Sequence, residues 1–250
     1  MIKIILLGIV QGLTEFLPIS SSGHLAIIEN LMGIKEQVAF TAFLHFGTLL
    51  ATILFFRKDL YQIIAGLFKK DSTSIRYVAN IIIGNIPIVI FAVLFKDMIE
   101  NAFTETKIIL IFLGLTGTIL LLTTIVSKGE KTISPLKALL VGIAQMFAVF
   151  PGLSRSGLTI SAGLYARVKP EESFRFSFLL SLPAVFGANI LELKEITNLP
   201  NTAEILIGML ISLVSGYIAL KILRVSIQKW FYLFGFYCLI ISVIFLIFHF

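Results

Sequence analysis

GIVQGLTEFLPISSSG, residues 8–23, and GIAQMFAVFPGLSRSG, residues 142–157, align without a gap at an offset of 134, with seven of sixteen positions identical. This is an internal repeat of a polar, Pro- and Gly-containing stretch within an otherwise greasy chain, and the fold turns on how the two copies sit. Around them, stretches of membrane-spanning length recur at 38–56, 77–95, 108–126, 173–191, 203–222 and 231–249. The 250 residues are 58% hydrophobic and 14% charged, include 23 Phe, and have a mean hydropathy of +1.01. Those values lie outside the range of soluble domains and predict an all-α, polytopic membrane protein. The first residues resemble a signal peptide, but they run on into Gln11 and Glu15 without a small-residue cleavage pattern, so they are read as mature protein. A single cysteine, Cys238, excludes a disulfide framework and a cysteine-based metal site. The net charge of +6 suggests nucleic acid only until it is mapped, because the basic residues sit mostly between spans. No nucleic-acid partner is expected.

Loop charge sets the orientation. Residues 57–76 carry five basic and two acidic side chains, 96–107 two and three, 127–137 three and one, 192–204 one and three, and 221–230 three and none. The first, third and fifth loops are therefore expected in the cytoplasm and the others outside. An odd number of crossings must then occupy 138–191, which holds two apolar stretches. The parity closes if 138–166 enters the membrane and returns at PGLSRSG. The matching stretch near the N-terminus behaves in the same way, so each half is one re-entrant hairpin plus three crossings. Three is odd, and the halves lie in opposite orientations. The expectation is one integral membrane domain over 1–250, with repeat halves of about 1–126 and 135–250, six transmembrane helices and two re-entrant helical hairpins in an inverted-topology repeat.

The two hairpins carry the chemistry. Gln11 and Glu15 are spaced i, i+4 and share a helix face. Pro18 ends that helix, and Ser20, Ser21, Ser22 and Gly23 form a turn before a second short helix of about ten residues that begins near Ser22, with His24 in its first turn. Pro151, Gly152, Ser154, Arg155, Ser156 and Gly157 make the matching turn, followed by Thr159. Serines at a helix start are most often simple caps, and a lone histidine in an apolar helix, such as His45 in FLHFGTLL, is more often a hydrogen-bonded core residue than a catalyst. Glu15 and Arg155 differ, because an ionisable group deep in an apolar segment costs about 2.5–3.5 kcal/mol or more and marks function by default. A structural ion pair would leave the clustered serines and histidine unexplained.

Facing turns would gather these residues around one pocket suited to a lipid-borne phosphate ester. Helix dipoles and Arg155 would take anionic oxygens, a carboxylate could hold a divalent cation, and a serine with a nearby histidine could attack. The fragments SGH and SR bring to mind membrane acid phosphatases of the type 2 phosphatidate phosphatase kind, but the Lys-rich first motif and the later histidine are missing. There is no P-loop, HExxH or GxGxxG. A lipid or small-anion transporter is the rival reading, since inverted repeats with facing broken helices suit alternating access. A scaffold is disfavoured by Glu15 and Arg155.

QGLTEFLPISSSGH (Gln11–His24), PGLSRSGLT (Pro151–Thr159) and FSFLLSLPA at 176–184 together resemble the undecaprenyl-diphosphate phosphatases of the bacitracin-resistance type, over essentially the whole chain. The resemblance implies hydrolysis of undecaprenyl diphosphate to undecaprenyl phosphate and inorganic phosphate. That reaction would recycle the carrier lipid for cell-wall and peptidoglycan synthesis, support cell shape and confer bacitracin resistance, in a multi-pass protein of the plasma (inner) membrane. It also implies a divalent cation, Mg2+ or Ca2+, with Glu15 as its ligand. The family has Glu or Gln at the first motif position, and here Gln11 leaves Glu15 the only carboxylate of the pair. By the same match Ser21 is the nucleophile, His24 the acid/base partner and Arg155 the diphosphate clamp, with Gln11, Ser20, Ser22, Ser154 and Ser156 lining the substrate. Small residues four apart, Gly208, Ser212 and Gly216, permit close helix contact, either within the chain or in a homodimer.

Overall fold

The structure is a computed structural model and describes residues 2–32, 38–103, 105–126, 129–194 and 201–248. Among these the regular structure is all helical, with short turns between helices and one isolated bridge between Lys131 and Val168. Twelve α-helices follow in order: α1 (Ile2–Phe16), α2 (Ser21–Met32), α3 (Val38–Phe55), α4 (Arg57–Phe68), α5 (Ser72–Leu94), α6 (Lys96–Ala102), α7 (Thr106–Leu122), α8 (Pro135–Phe147), α9 (Arg155–Tyr165), α10 (Pro170–Lys194), α11 (Thr202–Ser226) and α12 (Leu233–Phe248).

Four of these, α5, α7, α10 and α11, are long and apolar enough to cross a membrane, and the chain is a polytopic membrane protein. Two of the six expected spans, carried by α3 and α12, are shorter apolar helices among the described residues. The expected hairpins correspond to α1–α2 and α8–α9. Two helices were not expected: α4 and α6 occupy stretches that loop charge alone marks as connections. Helix α4 is amphipathic. It buries Ile63, exposes Phe68, and is tied to α10 where Arg175 Nε lies 2.7 Å from Asp59 Oδ1. A charged, periodic stretch of this kind reads as a loop when only net charge is counted.

Packing crosses the chain in exchanged pairs. The first leg of the first hairpin, α1, lies on α11, and the first leg of the second, α8, lies on α5; α3 packs on both α11 and α10, and α7 on α12. In a bilayer, lipid tails are as apolar as the helices, so association depends on close packing and on small residues that let backbones meet. Each pair has them. Gly8 and Gly12 of α1 lie against Gly208, Ser212, Ser215 and Gly216 of α11; Gly142 of α8 sits on Gly84 of α5; and Gly117 of α7 faces the Gly235 carbonyl of α12. Ser215 and Ser212 of α11 reinforce this by donating to the carbonyls of Gly8 (3.2 Å) and Leu44 (2.9 Å). The Gly208–Ser212–Gly216 stripe is thus used within the chain. Phe16, Phe55, Phe56, Phe174 and Phe178 form a ring cluster with centroid separations of 4.9–6.0 Å. Most of these contacts are tilted or edge-on, the geometry aromatic pairs favour, and Phe16 joins the cluster to the end of α1, next to Glu15.

Candidate active site

The first hairpin builds its site from a broken helix. Helix α1 stops at Phe16, residues 17–19 turn at Pro18, and Ser20 has a φ of +68° before α2 starts at Ser21, one residue earlier than expected. A left-handed serine is unfavourable unless its surroundings hold it. Here the Ser20 Oγ accepts from the Gly23 N–H (3.2 Å), and its carbonyl accepts from the His24 N–H (3.2 Å) and the His24 ring Nδ1 (2.8 Å). In the second hairpin Gly152 takes a φ of +90°, and Ser154 caps α9 by accepting from the Gly157 N–H at 3.2 Å. The caps match across the repeat: Ser20 and Ser22 hydroxyls lie 3.2 Å apart, and those of Ser154 and Ser156 lie 3.3 Å apart.

The turns meet. The Gly152 N–H donates to Ser22 Oγ at 3.1 Å, Gly157 faces Pro18, and Gly23 faces Gly152. Thr116 of α7 clamps the second turn from behind, donating to the Gly152 carbonyl and accepting from the Ser154 N–H, both at 3.1 Å. Thr159 donates to the Arg155 carbonyl at 2.7 Å and lies 2.6 Å from the Ser177 hydroxyl, which fixes α9 on α10.

Glu15 is the hub. Its Oε1 is 2.5 Å from Arg155 Nη2; its Oε2 accepts from Ser21 Oγ at 2.9 Å and from Gln11 Nε2 at 3.2 Å, and has His45 Nε2 at 3.9 Å. The carboxylate is nearly buried, with its side chain 11% exposed, so its charge must be compensated by these partners. Two polar atoms beside it have no partner although buried, Arg155 Nη1 and Gln11 Oε1. The adjoining pocket is lined by Glu15, Arg155, Thr48, Thr52 and Ser181 together with apolar side chains.

Glu15, Ser21, Arg155 and Gln11 are therefore gathered as the repeat implied. His24 lies elsewhere: its Nε2 is 2.8 Å from the Tyr237 hydroxyl, and neither ring nitrogen bonds Ser21. The histidine beside the carboxylate is His45, in place of the core role that its apolar helix suggests. The usable signal was there, since an ionisable side chain in the middle of an apolar span marks function. Thr116 carried no such signal.

The chain is thus a polytopic helical membrane protein in which a serine, a carboxylate and an arginine converge between two broken helices. The family model "Bacitracin resistance protein BacA" matches residues 4–244, and the chain belongs to this family. Proteins named undecaprenyl-diphosphatase are similar over nearly the whole length. Those of Methanococcus vannielii and Methanococcus maripaludis strain C6 are each 42% identical, over 98% of both chains. That of Thermosipho africanus is 41% identical, over 96% of this chain and 97% of its own.

Proposed function

We propose that the protein is an integral-membrane phosphatase that hydrolyses undecaprenyl diphosphate to undecaprenyl phosphate and inorganic phosphate. The observation that carries this is the buried, unpartnered Nη1 of Arg155 beside the Ser21–Glu15 hydrogen bond: a guanidinium donor waits next to a hydroxyl that a carboxylate is placed to deprotonate. Full-length similarity to proteins named undecaprenyl-diphosphatase supports the choice of substrate. In the reading that follows, Ser21 Oγ attacks the terminal phosphorus, its proton passes to Glu15 Oε2, and the bond to the bridging oxygen breaks, releasing undecaprenyl phosphate. Water then attacks the phosphoserine, the bond from Ser21 Oγ to phosphorus breaks, Oγ takes back the proton held by Glu15, and phosphate leaves with the oxygen and protons of the water. Arg155 orients the terminal phosphoryl group and neutralises its charge, and the Ser154 and Ser156 hydroxyls and the first turn of α9 add donors.

The residues fit a hard divalent cation, Mg2+ or Ca2+. Gln11 Oε1, buried and without a partner, lies beside the Glu15 carboxylate. Among the described residues no three His, Cys, Asp or Glu stand together, so Gln11 and Glu15 would supply two oxygens and the diphosphate the rest. The cation would offset negative charge on the diphosphate.

For the architecture we propose six crossings and two re-entrant hairpins in an inverted repeat. The exchanged pairing of α1 with α11 and of α8 with α5, and the pairing of equivalent helices α3 with α10 and α7 with α12, support it. A place in the plasma membrane, carrier-lipid recycling for cell-wall synthesis, and bacitracin resistance follow from the activity.

The test is phosphate release from a prenyl diphosphate by the purified protein in detergent, where no gradient exists. Release by the wild type and its loss in Ser21→Ala are expected. A transporter would release none, and an inactive wild type would refute the reading.

A further inference from the structure

Helix α12 reaches the first hairpin from the far end of the chain. Cys238 is fully buried with its Sγ 3.6 Å from the Pro18 carbonyl, and its neighbour Tyr237 places a hydroxyl 2.8 Å from His24 Nε2. The two rings stack nearly parallel, 8° apart, with centroids at 5.6 Å. The second ring nitrogen, Nδ1, lies 2.8 Å from the Ser20 carbonyl. A carbonyl oxygen can only accept, so Nδ1 carries the proton. In the neutral imidazole Nε2 is then a lone pair, and the Tyr237 hydroxyl is its donor. The chain of donors is ordered, from Tyr237 O–H to His24 Nε2 and from His24 Nδ1–H to the Ser20 carbonyl. That same carbonyl belongs to the left-handed residue on which the nucleophile's turn depends.

We propose that Tyr237 is a positioning residue that acts through His24. It presents His24 as a neutral Nδ1–H imidazole in one orientation, and through the Ser20 carbonyl it holds the turn that carries Ser21. The proposal rests on the phosphatase reading of the site. It adds a residue from the opposite repeat half to the machinery of the first hairpin. Its neighbour Cys238 binds the same turn, so α12 acts as a brace across the repeat.

The chain has three histidines, so imidazole 15N spectra of the full-length protein in detergent are assignable by the loss of one set of signals in His24→Gln. In the wild type at neutral pH, His24 should show a protonated Nδ1 and an unprotonated Nε2. Tyr237→Phe keeps the stacked ring and removes only the donor, so it should move the Nε2 resonance downfield. It should also lower kcat about tenfold, the size of one lost hydrogen bond, with KM unchanged. In a His24→Gln background the same substitution should cost nothing further. A protonated Nε2 in the wild type, an unmoved resonance in Tyr237→Phe, an unchanged kcat, or an equal loss in the His24→Gln background would each overturn the proposal. If Tyr237→Phe does not fold, the wild-type spectrum decides alone. Should the wild type release no phosphate, the phosphatase reading fails, while the spectra still decide whether Tyr237 governs His24.

Discussion

At the scale of single residues the site is organised by one carboxylate. Glu15 Oε2 accepts from Ser21, and Oε1 is held by Arg155, so the proton of the Ser21 hydroxyl has an acceptor already in contact, as the proposed attack by Ser21 requires. Ser21→Ala and Glu15→Gln should each lower kcat by about 10³-fold or more and combine non-additively, because the pair acts as a unit. Steady-state hydrolysis by the two single variants and the double variant measures this; full multiplicative loss would separate the two. Arg155 makes a second demand. A guanidinium can grip two oxygens while an ammonium cannot, so Arg155→Lys should cut the maximal rate about 10²-fold rather than only raise KM. If Arg155 served only to neutralise Glu15, the lysine variant would stay active. Glu15, Arg155 and the serine run were legible in the sequence because charge and hydroxyls are rare at membrane depth. His45 carried the same signal, but its pairing with Glu15 did not show in the sequence. Two histidines stood in apolar surroundings, and motif proximity favoured His24, whereas helix packing brings His45 to 3.9 Å.

At the scale of elements, the two broken helices owe their shape to Pro and Gly at readable positions, and their caps repeat at the 134-residue offset: Ser20 to the Gly23 N–H, Ser154 to the Gly157 N–H. The partners of those elements are a different matter. Helix α7 meets α12 at Gly117, where an added Cβ would lie 2.7 Å from the Gly235 carbonyl. Gly117→Leu should therefore destabilise the protein by about 1–3 kcal/mol or more and displace α12, the helix that carries Tyr237 and Cys238. Thermal unfolding in detergent together with residual hydrolysis measures both effects. Unchanged stability would mean that the two helices do not touch. The surface helix α4 escaped a reading based on loop charge because its single buried contact, Ile63, and its ion pair with Arg175 are tertiary.

At the scale of the whole molecule, the proposed inverted repeat would put Ser72, at the start of α5, and Asn201, just before α11, on opposite sides of the membrane. With Cys238 replaced by Ala, single cysteines at Ser72 and Asn201 should label from opposite faces with an impermeant thiol reagent. Labelling from the same face would remove the inverted repeat. The sequence by itself determined the membrane class, the repeat, the two hairpin turns and the ionisable residues within them. Each of these rests on local physics: apolar length, backbone-restricting residues, and the cost of charge away from water. Only the tertiary structure decided which groups share a carboxylate, because the partners of Glu15 lie 6, 30 and 140 positions along the chain. It likewise joined His24 to Tyr237, 213 residues away, through the packing of α12 against the first hairpin. Close helix approach between small residues sets those distances, and that approach depends on two surfaces at once, whereas a sequence pattern describes one surface at a time.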